Sequence, residues 1–154
     1  MKLPLIICAL CLLEGCARDR ERRGVPKLVV SLVVPCGSAS ATVPLHFAGQ
    51  NGKLCLDRSP IVTERDVRSA RLPNRGFGFS PVVLLSLQQQ ASERLRDATA
   101  AHLHERIGIV LKGEPFSAPL IVDSTSEVPL ERNLTQPDAE ELAREFNGQP
   151  GKSR

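Results

Sequence analysis

Apolar positions along the chain fall into runs with two different periods. Leu28 to Val34 is rich in β-branched residues and predicts a strand. Cys36 to Ala41 is a Gly/Ser/Ala-rich stretch and predicts a loop. Thr42 to Phe47 predicts a second strand, confined to a sheet edge by Pro44, which has no N–H to offer a ladder. Asn51-Gly52 is a strong turn signal, followed by a short strand at Lys53 to Leu56. Thr63 is placed to cap a short helix, with Asp66 three residues on as in a capping box, so that Val67 and Ala70 face the core. Pro73 to Gly78 reads as a loop, and Pro81 to Leu87 as a nearly continuous apolar strand. The period then changes: Ala91, Leu95, Ala98 and His102 recur at helical spacing. Ile107 to Leu111 predicts another buried strand. Lys112-Gly113 turns it into a hairpin with the segment near Phe116, and Ala118 to Val122 follows. The last helix carries the clearest signals. Thr135 is the N-cap, Pro137 suits the first turn, and Asp138 lies three past the cap. Ala139, Leu142, Ala143 and Phe146 share one face, and Asn147-Gly148 supplies the stop. These elements predict an α+β fold, a single mixed or antiparallel sheet packed against two main helices, with a tail at 149–154 left disordered.

The first residues read differently. Lys2 precedes an apolar run from Leu3 to Leu13, then Leu13-Glu14-Gly15-Cys16. A basic start, a short apolar stretch and small residues before a cut fit a secretory leader at 1–15. The run is shorter than the roughly 20 residues that span a bilayer. A Cys after Leu-x-Gly resembles the bacterial lipoprotein cleavage box, with Cys16 as the lipidated new N-terminus. Glu14 departs from the usual small or apolar residue there, and cleavage after Ala17 is the other reading. Residues 16–26 then form a polar tether to a domain at 27–148. The tether's four Arg (Arg18, Arg20, Arg22, Arg23) against Asp19 and Glu21 suit a solvated spacer near anionic headgroups.

Lipidation and cleavage leave Cys36 and Cys55 as an even pair in an oxidising compartment. A bridge between them closes a loop of 19 positions and adds about 3 kcal/mol on the loop-entropy model. Two buried free thiols is the alternative, because spacing alone does not bring the positions together.

Among 154 residues there is no Trp, no Tyr and five Phe, with a formal net charge of +3. That composition offers neither aromatic stacking platforms nor a strongly basic face, so nucleic acid is not an expected partner.

The order of short motifs resembles the head subdomain in the first periplasmic region of the SecD and SecDF protein-export family. Pro81 to Leu87, Thr99, Gly108-Ile109-Val110-Leu111-Lys112-Gly113, Ser117-Ala118-Pro119, and Leu134-Thr135 with Ala139, Leu142-Ala143 and Gly148 resemble its blocks in order, with the spacing matched without gaps from Thr99 to Pro119. Upstream, Leu54-Cys55-Leu56 and Pro60-Ile61-Val62-Thr63 with Asp66-Val67 and Ala70 continue the match. Four positions depart from the family pattern. Lys112 replaces an Asp, His104 and Arg132 each replace a Gly, and Asp138 stands where a Glu is usual. The resemblance implies a head that engages emerging preprotein. The membrane spans through which the family's export factors couple proton flow have no counterpart run after the leader.

Candidate chemistry is sparse. His46 is isolated, and His102 and His104 are two apart, so on a helix they point to different faces and suit no joint metal site. His102 reads as a hydrogen-bonded boundary residue. Asp123, Glu127 and Glu131 read as solvated charge in a strand-and-turn region. No nucleophile elbow, phosphate loop or dinucleotide fingerprint is present. No catalytic residue, cofactor or metal is therefore expected. Phe116, Ser117, Ala118 and Pro119 form the candidate recognition edge, where an extended peptide adds as a strand. The bland reading makes Phe116 a core residue and Pro119 an edge breaker. The expected function is an exported, lipid-anchored module binding extended or unfolded polypeptide in protein export or envelope assembly. The alternative is a scaffold lipoprotein docking on an envelope protein complex without binding client chains.

Overall fold

A computed structural model describes residues 27–73 and 80–148. The leader, Cys16, the tether, Asn74, Gly76, Gly78 and the 149–154 tail lie outside the described residues. The strands are β1 (Leu28–Val34), β2 (Leu45–His46), β3 (Lys53–Leu56), β4 (Val62–Thr63), β5 (Val67–Arg71), β6 (Val83–Leu87), β7 (Ile107–Leu111), β8 (Glu114–Ser117) and β9 (Glu127–Leu130). The helices are α1 (Gln89–Ala101) and α2 (Gln136–Asn147).

The α+β class stands, but the strands divide between two antiparallel sheets where a single layer was expected. The first runs β2-β3-β1-β7-β8, with β4 also paired to β1; the second runs β5-β6-β9. The division falls at Thr63. Its capping box with Asp66 closes a single 3₁₀ turn over Glu64–Asp66, and the chain leaves the turn as a strand. The expected helix there is thus one turn long. Val67 and Ala70 are buried as expected, though from β5. Their spacing of three mimics a helix because a register shift between Val67 and Ser69 adds a residue to the strand and returns Ala70 to the core side.

β1 organises the first sheet. One edge pairs with β7 through five register partners, from Leu28↔Leu111 to Leu32↔Ile107. Its other edge is shared by β4 at the start and β3 at the end. Both of its faces are covered. Leu28 and Val30 enter the main core, which they share with Leu85, Leu95, Ile109, Leu130 and Phe146. On the opposite face Val33 and Val110 pack against a second cluster of Phe47, Leu56 and Ala118. Gly108 lies in β7 beneath that cluster, and a Cβ there would collide with the Leu56 side chain. The Cys36–Cys55 disulfide, with Cα atoms 5.1 Å apart, fastens this flank just past the end of β1.

α2 is built as its sequence indicates. Thr135 Oγ1 accepts from the Asp138 N–H, the Asp138 carboxylate accepts from the Thr135 N–H, and Ala139, Leu142, Ala143 and Phe146 are buried. Its stop is tertiary as well as local. Asn147 accepts from the Ala70 N–H and donates to the Ala70 carbonyl, both at 2.8 Å, so its amide occupies the outer edge of β5 as a strand would.

Candidate functional site

Beyond β8 the chain keeps to an extended path beside residues 104–107. Ile107 N–H donates to Pro119 O, Ile121 N–H to Glu105 O, and His104 N–H to Ile121 O. Extended backbone alternates its side chains, so Ile121 is buried while Leu120 is 45% and Val122 75% exposed. At its far end this segment, the strap (Pro119 to Thr125), is tied to α1. Thr99 is fully buried, and its hydroxyl donates back into the helix at Leu95 O (2.8 Å) and accepts from the Thr125 N–H (3.0 Å). Ser92 of the same helix donates to Ser126 O.

The strap, α1 and the two sheets border an open cavity of about 330 Å³. Val30 and Ile109 form its floor, Leu95 and Thr99 one wall, Val128 and Pro129 of β9 the other, and the strap from Pro119 to Thr125 its mouth. The lining is mostly apolar. A cavity twice the roughly 150 Å³ that holds benzene in an engineered core is large enough for more than one aliphatic side chain. Its polar groups do not converge. Glu127 is held by Arg71 at 2.9 Å and by the Ser86 hydroxyl at 2.9 Å, and Asp123 accepts from the Ser124 N–H.

Within the expected recognition edge, Phe116 takes the alternative reading of a core residue. Phe116 packs into the main core and Ala118 into the second cluster, both buried, so they point into different interiors. A register shift between Ile109 and Val110 is what turns them apart. Ser117 pairs with Ile109 in the ladder and is half-buried. Arg106 caps the Ala118 carbonyl at 2.8 Å, and Arg132 lies 5.8 Å over the Phe116 ring. Of the four residues, Pro119 alone lines the cavity, and the apolar surface open to a partner lies beyond it at Leu120 and Val122. The missed signal is strand alternation through Leu120, Ile121 and Val122, which leaves two large apolar side chains outside.

The other candidates fall outside this site. His46 is exposed on β2. His102 ends α1, half-buried, with Nδ1 3.0 Å from a Glu105 oxygen. Glu131 is exposed after β9. Asp57 carries a lowered carboxyl pKa, caused first by the Ser59 backbone N–H and next by the Ser40 hydroxyl, in a turn that does not line the cavity. Among the described residues no group of three potential metal ligands comes together, and no helix is long and apolar enough to cross a membrane.

Two antiparallel sheets, two helices and an open cavity between the sheets define an α+β module. The family model described as SecDF, P1 head subdomain, matches residues 40–148, and the chain belongs to that family. Two solved structures share the fold. One, described as a membrane component SecDF that enhances protein export, is 19% identical over 88% of this chain and 70% of its own, with a TM-score of 0.57. The other, SecDF in a super-membrane-facing form, is also 19% identical with a TM-score of 0.57, over 80% of this chain and 19% of its own. No curated protein matches the chain.

Proposed function

We propose that this chain is an exported, lipid-anchored binding module, not an enzyme, and that it holds extended or unfolded polypeptide during protein export. The observation that carries this reading is the 330 Å³ apolar cavity with Leu120 and Val122 exposed at its mouth. Family membership supplies the export context, and the solved relative that enhances export supports the same assignment. An extended chain presents alternate side chains to one side, so one or two of them enter the cavity while the backbone lies along the strap. Lipidation at Cys16 rests on the Leu-x-Gly-Cys pattern, and mass spectrometry of the mature N-terminus tests it.

The binding claim is tested by fluorescence anisotropy with a labelled, permanently unfolded polypeptide. Saturable binding is expected. Val122→Asp should weaken it about tenfold, the worth of burying one valine side chain. Binding that is absent, or unchanged by this substitution, contradicts the proposal.

A further inference from the structure

The charge at the cavity mouth narrows the kind of polypeptide that fits, on the reading just given. Among the residues that line the cavity there is no Lys, Arg or His, and there are two carboxylates, Asp123 and Glu127. These two are not equivalent. Glu127 has one oxygen on the Arg71 guanidinium and the other on the Ser86 hydroxyl, so its charge is already compensated. Asp123 uses one oxygen to accept the Ser124 N–H at 2.8 Å and has no cationic partner among the described residues. It is exposed and directly follows Val122, the most exposed apolar residue of the strap. The cation that does bind the strap's start, Arg106, has its guanidinium on the Ala118 carbonyl and does not line the cavity. The mouth therefore pairs an apolar opening with one uncompensated negative charge.

We propose that the site selects extended segments in which an apolar side chain enters the cavity and a neighbouring Lys or Arg meets Asp123. An acidic neighbour would face Asp123 as a like charge and bind less well. The interaction is solvent-exposed, so it contributes selectivity while the apolar contact contributes most of the affinity.

The test uses the full chain and three labelled peptides in anisotropy titrations. The first has an aliphatic centre flanked by Lys, the second has the same centre flanked by Glu, and the third has a Ser centre flanked by Lys. The first should bind tightest, about two- to fivefold better than the second, with that preference lost in Asp123→Asn and in high salt. The third should bind far more weakly than the first. Circular dichroism on Asp123→Asn confirms that the fold is intact. Equal binding of the first two, or a preference that survives Asp123→Asn, overturns the selectivity and leaves the polypeptide reading standing. Binding of the third as tight as the first overturns it too, because the site would then read charge alone. Failure of all three peptides to bind overturns the polypeptide reading itself.

Discussion

The two helices cover the interior in contrasting ways. α2 lays Ala139, Leu142, Ala143 and Phe146 onto β5 and β6, and Phe146 is fully buried. α1 offers Ala91, Leu95 and Thr99, a narrower stripe whose last member is a hydroxyl that serves its own helix and the strap. One side of the core is closed by α2, with Leu142 and Phe146 as its large apolar side chains. The other stops short and leaves about 330 Å³ between the sheets. The lesson is that one core can be packed differently on its two sides, closed under α2 and open beside α1.

The sharpest way to break that contrast is truncation on each side. Phe146→Ala should cost about 3–5 kcal/mol in urea unfolding, the range for a large aromatic lost from a close-packed core. Leu95→Ala should cost about 2 kcal/mol, the low end for its type, because the space it vacates adjoins an existing cavity. Equal losses would mean that the open side is as tightly packed as the closed one. Thr99→Val keeps the shape but removes the acceptor from the Thr125 N–H, at a cost of about 1–2 kcal/mol. Faster amide exchange at Thr125, with α2 amides unaffected, would identify Thr99 as the strap's tie.

The smallest expected change has the opposite sign. His104 sits at φ 68°, a left-handed conformation that disfavours a side chain, and its N–H holds Ile121 O at the strap. His104→Gly should raise stability by about 0.5–1 kcal/mol, read from the same urea curves. A loss would show that the imidazole contributes something its backbone position does not explain.

That residue also shows how much was legible beforehand. The family pattern that the sequence resembles has a Gly where His104 stands, and φ 68° is a conformation that favours Gly. Likewise Lys112, where the resembled pattern often has Asp, has φ 56° in the turn to β8 and makes an ion pair with Glu145 at 2.8 Å. α2, β1 and β7 were readable because their signals are local: a cap, a stripe, a β-branched run. β5 was misread because a bulge gave a strand the spacing of a helix. Phe116 takes its alternative reading as a core residue for a related reason, since the shift at Ile109 and Val110 turns Phe116 and Ala118 into separate interiors. The cavity had no local signature. It is unfilled volume between residues as distant in sequence as Val30, Leu95 and Val128, and it depends on a second sheet that alternation alone does not reveal.

The most direct measurement of the central claim is amide chemical-shift mapping during titration with an unfolded polypeptide. Shifts should concentrate on the strap from Pro119 to Thr125 and on the cavity walls at Leu95, Thr99 and Val128, leaving α2 and the Cys36–Cys55 flank unchanged. Shifts confined to that flank, or none at saturating ligand, would contradict a binding site between the sheets.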